Sequence, residues 1–369
     1  MEQQGDDVSV AAKEKEGVFV APAMRDFGEL AGRLEVWLQG RLPGATDLRL
    51  ANFEYPRGTG QSHETILFDL AWRQDGADQH RGLVVRIKPT TFTVYRDDMF
   101  IEQYRVMKAM RESGRVRIAE LFWLEDDPAL LGAPFFVMEK LAGRVAVSIP
   151  SYMEVGWVTE LTPPERERLW RNGVAQLAAI QTVPTADVAF LDRPADGEPI
   201  VQEWNRWRRY LEWLEARGPA TYQRATFHRL EAMFPANPVA GIVWGDARLG
   251  NLMIGPDLDV VAVMDWEQPG LGGALDDLGW WIFNERLKME ARGSNLEGLG
   301  SRDEVIALWA NQTGLPVDDI DWYEAFAGFR ISCLFWNMLD MRGQPKPDLA
   351  SSPIGRAVDA LLTKIEAAG

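Results

Sequence analysis

The sequence is poor in cysteine and histidine: one thiol, Cys333, and three scattered imidazoles, His63, His80 and His228, stand among 369 residues. A single thiol forms no disulfide within the chain, and these residues offer no Cys/His zinc cage, so a reducing cytoplasm is the natural compartment. No function is assigned to His63, His80 or Cys333. Long apolar runs are absent as well. Nothing approaches the roughly 18 residues that a membrane span requires, and the opening MEQQGDDVSVAAKEKEG is polar and acidic where a signal peptide would be basic and then apolar. Residues 1–22 are expected to be a disordered lead-in to a soluble protein. There is no Lys/Arg run either: 55 acidic against 39 basic residues give a net charge of −16, which repels nucleic-acid backbones and anionic membranes.

What is present is core material. Hydrophobic residues make up 46% of the chain and charged ones 25%, enough for one large domain or two lobes. Phe27, Leu30, Leu34, Trp37 and Leu38 recur at three- and four-residue steps, which predicts an amphipathic helix. The period then changes over 48–139. ILFDLAW (66–72), LVVRI (83–87) and FFVME (135–139) read as strands of one sheet. Between the second and third, Asp97 or Asp98 can cap a helix that ends near Gly114. Beyond Gly143 the pattern is mostly helical. TPPE (162–165) is a capping box for a helix bearing Leu169, Gly173, Leu177 and Ile180, and 201–218 places Trp204, Trp207, Leu211 and Leu214 on one face. The expected architecture is α+β with two lobes: a small sheet-containing lobe over residues 23–141 and a larger, mainly helical lobe over 142–369.

The most informative stretch is VWGDARLGNLMIGPDLDVVAVMDWE (243–267). Two short strands flank the turn residues 255–259, and a hairpin centred on Leu258 would set Asn251 opposite Asp265. Directly opposed Cα atoms lie about 4.5–5.5 Å apart, so an amide oxygen and a carboxylate there suit one hard cation such as Mg²⁺. Asp246, on the loop leading into the hairpin, stands where a general base would take a proton from an acceptor beside the metal. Arg248 reaches the same space and can neutralise charge on a transferring phosphoryl group.

The pattern Gly245-Asp246-x4-Asn251, followed by a hairpin and Asp265, resembles the catalytic and metal-binding loops of the aminoglycoside phosphotransferase and choline kinase group, relatives of the protein kinases. The WGDARxGN and DWE forms are most similar to a bacterial branch of that group with unassigned substrates. The resemblance runs from about Leu48 to the C-terminal helices. It implies a protein-kinase-like fold, ATP and Mg²⁺ as cofactors, Asp246 as catalytic base, Asn251 and Asp265 as metal ligands, and Arg248 as a γ-phosphate-contacting cation. It implies that Asp277, in LDDLGWW, braces the catalytic loop from a helix start. Gly60 and Ser62, in RGTGQSHET (57–65), would cover the nucleotide phosphates. Arg86, with Lys88 two residues on, falls where the family places the strand cation that touches them. Phe136, Val137, Met138 and Glu139 would line the adenine slot.

Two positions depart from the family pattern. Trp244 replaces a histidine common two residues before the catalytic aspartate, and Gln103, beside Glu102, aligns with the helix glutamate that pairs with the strand cation. The chain is therefore expected to be an ATP-dependent kinase acting on a small-molecule alcohol, the alternative being a pseudokinase that binds a nucleotide or a partner. The number of rings on two helical segments, Trp204, Trp207, Trp213, Trp322, Phe326, Phe329, Phe335 and Trp336, suggests an aromatic-lined cavity for a hydrophobic hydroxyl acceptor rather than a polycation.

Overall fold

A computed structural model of the chain describes residues 25–56, 64–90 and 94–368. The expected lead-in and the expected phosphate loop with Gly60 and Ser62 lie outside these residues. Helix α1 (Phe27–Arg41) starts at Asp26, whose carboxylate accepts from the Gly28 and Glu29 amides and satisfies two of the N–H groups a helix start leaves open. Leu30, Leu34 and Leu38 recur every fourth residue and are fully buried, each contributing roughly 1.5–3 kcal/mol of transfer free energy. They pack on a sheet of β1 (Thr46–Glu54), β2 (Glu64–Gln74), β3 (Ala77–Ile87), β4 (Leu121–Glu125) and β5 (Phe135–Glu139), with α2 (Phe100–Glu112) between β3 and β4. The strand order is β1-β2-β3-β5-β4. Asp75 and Gly76 join β2 to β3, both at positive φ, as a two-residue hairpin turn requires.

Alternation along these strands decides what reaches the cleft. Ile66, Phe68, Leu70, Leu83, Val85, Ile87, Phe135 and Val137 face α1. The opposite phase carries Arg86 on β3 and Phe136 on β5, whose ring lies 5.3 Å from Phe100 and 5.6 Å from Tyr104 of α2. Two strands of this sheet were not anticipated. β1 is an edge strand with Leu48 as its one buried side chain, and β4 is half-buried throughout with an irregular register, so neither shows the alternation that marks a strand in sequence.

The larger lobe begins with β6 (Arg144–Val145) and the short α3 (Trp157–Glu160). Helices α4 (Pro163–Gln181), α5 (Pro199–Glu215) and α6 (Thr221–Ala232) follow. Thr162 and Glu165 form the predicted capping box at α4. Strands β7 (Ala240–Val243), β8 (Leu252–Ile254), β9 (Val260–Val263) and β10 (Gly270–Gly273) precede helices α7 (Asp276–Arg292), α8 (Arg302–Thr313), α9 (Ile320–Met341) and α10 (Pro353–Ala368). At Gly279 an added Cβ would lie 2.6 Å from the Tyr323 backbone, so α7 and α9 touch main chain to main chain. Trp204, Trp207, Trp322, Phe326 and Phe329 are core residues here: Trp204 stacks on Phe227 at 4.1 Å and meets Phe326 at 5.6 Å. Most of the rings expected to line a cavity thus hold the helices together instead. Among the described residues no single helix is long and apolar enough to cross a membrane.

Candidate active site

Two strand pairs clamp two loops side by side. Val243 pairs with Gly270 and Leu252 with Val263, so segments 244–251 and 264–269 leave and re-enter paired strands at adjacent points. Gly245, at φ 101°, lets them touch, because a Cβ there would sit 2.5 Å from the Gln268 carbonyl oxygen. One indole stitches the loops, Trp244 Nε1 donating to Met264 O at 2.7 Å, while Trp266 Nε1 donates to Val263 O at 3.1 Å within its own segment. Trp244 therefore makes a hydrogen bond between the loops in the place where the family pattern has histidine.

The hairpin register differs from the sequence expectation by one residue. An irregularity between Met253 and Ile254 pairs Leu252 with Val263, and the Asn251 carbonyl accepts from Met264 N at 2.9 Å. Met264, not Asp265, thus faces Asn251. A one-residue slip would normally send a side chain to the other face. Asp265 instead adopts a left-handed backbone, φ 61°, and its carboxylate turns to Arg86 across the cleft.

Asp246 is held by three donors. Arg248 Nε and Asn251 Nδ2 reach Oδ2 at 2.8 and 2.7 Å, and Trp280 Nε1, from α7, reaches Oδ1 at 3.0 Å. Arg248 also binds Ser148 Oγ. Burial works against the Arg248 charge, but the neighbouring Asp246 and then Asp265 outweigh it and hold the guanidinium more firmly charged than usual. Asp277, at the start of α7, accepts from Trp244 N at 2.6 Å and Gly245 N at 2.9 Å. Burial pushes its carboxyl up to about 6, opposed by those two amides.

From strand β3, Arg86 Nη2 reaches the facing loop, lying 3.0 Å from Asp265 Oδ1 and 2.7 Å from Glu267 Oε1. Trp266, fully buried between the two acids, roots the segment. Burial, then the Glu267 charge, raise the Asp265 carboxyl well above its usual range, with Arg86 pulling the other way. Glu267 was quoted in the DWE motif without a role, and the structure brings it to the strand cation. Gln103 does not take that place: it is fully buried, and neither amide atom has a hydrogen-bond partner. Lys88 is tied to Asp98 instead of pointing at the site. At the expected adenine slot, Phe136 and Val137 are core, while Met138 and Glu139 are half-buried. The Glu139 carboxylate accepts from Glu120 N at 3.2 Å.

Among the described residues no group of three or more His, Cys, Asp or Glu side chains is arranged to hold a metal ion. A Mg²⁺ ion needs fewer, since it keeps waters and takes substrate phosphate oxygens beside one or two carboxylates. The donors fit that ion: Asn251 spends its amide N–H on Asp246, leaving Oδ1 as the acceptor, and Asp265 already faces a cation.

Strand cation, paired loops and a braced aspartate on a sheet-plus-helix scaffold define a phosphotransferase of the protein-kinase-like fold. The sequence profile described as "Phosphotransferase enzyme family" matches residues 60–311, and the chain belongs to that family, enzymes that phosphorylate hydroxyl groups of small molecules. In structure it is similar to a Ralstonia eutropha chain provisionally assigned as an aminoglycoside phosphotransferase, with TM-score 0.62, 24% identity, and 91% of this chain and 95% of that one covered. It is similar in fold to APH(2″)-IIIa solved with GDP and kanamycin, with TM-score 0.52, 13% identity, and 90% and 98% covered. Among curated proteins, the Arabidopsis thaliana protein named "Probable acyl-CoA dehydrogenase IBR3" is 26% identical over 75% of this chain and 35% of its own length. The Mus musculus acyl-CoA dehydrogenase family member 10 is 26% identical over 82% and 27%. The chain thus spans about a third of the length of these relatives.

Proposed function

We propose that this chain transfers the γ-phosphate of ATP, as its Mg²⁺ complex, to the hydroxyl of a largely apolar acceptor of the hydroxylated acyl-chain class. The observation that carries the reading is the convergence of Asp246, gripped by Arg248, Asn251 and Trp280, with Asp265 and Arg86 on the facing loop and strand. Asp246 orients the acceptor hydroxyl and takes its proton as the new O–P bond forms and the bond to the ADP leaving oxygen breaks. Arg248 offsets charge on the moving phosphoryl group, and Arg86 meets the nucleotide phosphates. Asn251 and Asp265 would hold Mg²⁺, which supplies charge neutralisation of the phosphates. Asp277 fixes the loop through the backbone of Trp244 and Gly245.

Charge pairing favours an acceptor that is not a polycation. Asp246 pairs with Arg248, Asp265 and Glu267 share Arg86, and Glu203 lies between Arg206 and Arg330. A polycationic antibiotic needs clustered carboxylates not already matched. The acyl-CoA dehydrogenase names of the curated relatives point to the acyl class. Radiolabel transfer from [γ-³²P]ATP to hydroxylated fatty acids and their CoA thioesters, with kanamycin alongside, tests the reading. Turnover of kanamycin alone overturns the acceptor class, and MgATP binding without transfer to any compound leaves a nucleotide-binding module.

A further inference from the structure

Segment 264–269, which carries Asp265 and Glu267, is gripped by a buried arginine of α5. Arg206 Nη2 donates to the Gln268 side-chain oxygen, and Nη1 lies 3.4 Å from the Gln268 carbonyl oxygen and 3.3 Å from that of Pro269. Gln268 directly follows Glu267, and its carbonyl is the point at which Gly245 of the other loop approaches. One guanidinium thus holds the residue where the two candidate loops meet.

That guanidinium is itself fixed. Glu203, one turn earlier on α5, accepts from Arg206 Nη1 at 3.3 Å and from Trp207 Nε1 at 2.7 Å, and its Oε1 lies 3.6 Å from Arg330 Nη1 of α9. Arg330 in turn stands 3.4 Å from Asp276 Oδ1 at the start of α7. Asp97, ahead of α2, lies 3.9 Å from Arg206 Nε. Glycine makes the approach possible: a Cβ at Gly270 would stand 3.2 Å from Glu203 Oε2 and 3.3 Å from Arg206 Nη1. Buried ion pairs carry a desolvation cost, and well-packed apolar residues often hold two elements together as well or better. Apolar residues cannot, however, bond two main-chain carbonyls and a side-chain amide from one planar fork.

We propose that Arg206 is a positioning residue for the metal-side loop, setting Asp265 and Glu267 through its bonds to Gln268 and Pro269. The inference rests on the phosphotransferase reading, in which Asp265 takes the metal, and adds to it a residue of α5 outside the motif stretch.

The test measures Mn²⁺ affinity by electron paramagnetic resonance, and MgATP affinity and stoichiometry by calorimetry. Arg206→Lys keeps a positive charge beside Glu203, so no buried carboxylate is stripped of its partner, but it loses the fork. Gln268→Ala leaves the ion pairs of α5 intact and removes only the side-chain bond. Each should weaken Mn²⁺ and MgATP binding about tenfold, as loss of one hydrogen bond does. Because both act on the same contact, the double variant should bind about as weakly as Arg206→Lys alone. A purely structural role would lower the melting temperature or the binding stoichiometry and leave the affinity of the folded fraction unchanged. Mn²⁺ affinity within about twofold of wild type in either single variant, or losses that multiply in the double variant, overturns the assignment. A wild-type chain that binds neither Mn²⁺ nor MgATP overturns the reading of the site and this inference with it, whereas wild-type binding insensitive to Arg206 and Gln268 removes this inference alone.

Discussion

Arg86 Nη2 stands 3.0 Å from Asp265 Oδ1, so a protein cation already sits on the carboxylate proposed to hold the divalent ion. Two consequences of opposite sign follow for Arg86→Ala. Nucleotide affinity should fall about tenfold as a phosphate contact is lost, while affinity for Mn²⁺ alone should rise by a similar factor because the competing guanidinium is gone. Asp265→Ala should abolish metal-dependent nucleotide binding, and Asn251→Ala should raise the metal requirement. Mn²⁺ titration followed by electron paramagnetic resonance, with calorimetry of MgATP, reads each quantity. A drop in Mn²⁺ affinity in Arg86→Ala would show that the arginine supports the metal instead of competing with it.

Asp246→Asn should lower kcat by about a thousandfold, within the usual range for general acid–base groups, and leave MgATP affinity nearly unchanged. The carboxylate is bound by Arg248, Asn251 and Trp280 and has no assigned contact with the purine or the phosphates. Single-turnover phosphoryl transfer at saturating MgATP measures this, and near-normal turnover would remove Asp246 from the role.

Much of the fold was legible because its signals are local. Leu30, Leu34 and Leu38 repeat at helical spacing, and Thr162 with Glu165 is a cap within four residues. The motif from Asp246 to Asp265 was legible because it lies on one hairpin, although the backbone irregularity that shifts the hairpin register by one residue has no sequence signature. Trp280 could not be assigned, since it reaches Asp246 from a helix 34 residues further along the chain. Glu267 sits in plain view in DWE, but only the fold shows that Arg86 is its partner. The aromatic residues of α5 and α9 misled for a related reason: composition counts rings without saying whether they face a cavity or one another.

Asp277→Asn should change both catalysis and the pH dependence of stability. An amide keeps one acceptor oxygen but turns an NH₂ toward the second backbone N–H, so one bond to Trp244 or Gly245 is replaced by donor against donor. kcat should fall about tenfold to a hundredfold through the displaced loop. In wild type the folded carboxyl is pushed up to about 6 from an ordinary 3.8, so the native state holds this proton more tightly than the unfolded chain. Its contribution to stability is therefore greatest below pH 3.8 and is lost as pH rises through about 6. Urea unfolding at intervals between pH 4 and 7 should show wild-type stability declining more steeply than that of Asp277→Asn. Parallel profiles would place the raised carboxyl elsewhere.

Among the described residues, Trp280 is the one donor to the Asp246 carboxylate that comes from outside segment 244–251, and its removal can be made nearly isosteric. Trp280→Phe deletes Nε1–H, 3.0 Å from Asp246 Oδ1, and keeps an aromatic face toward Arg330, whose guanidinium carbon lies 4.9 Å from the indole centroid. Losing one hydrogen bond to a charged group costs about 1.5–3 kcal/mol, which predicts a fall in kcat of about tenfold to a hundredfold with the KM for MgATP unchanged. A smaller ring in a buried site also costs stability, so a lower kcat alone is ambiguous. The double variant with Asp246→Asn decides the matter. If Trp280 acts by orienting that carboxylate, Trp280→Phe should have little further effect once the carboxylate is gone, giving a coupling energy close to its single-variant effect. Additive losses in kcat would mean that the indole supports α7 and nothing more.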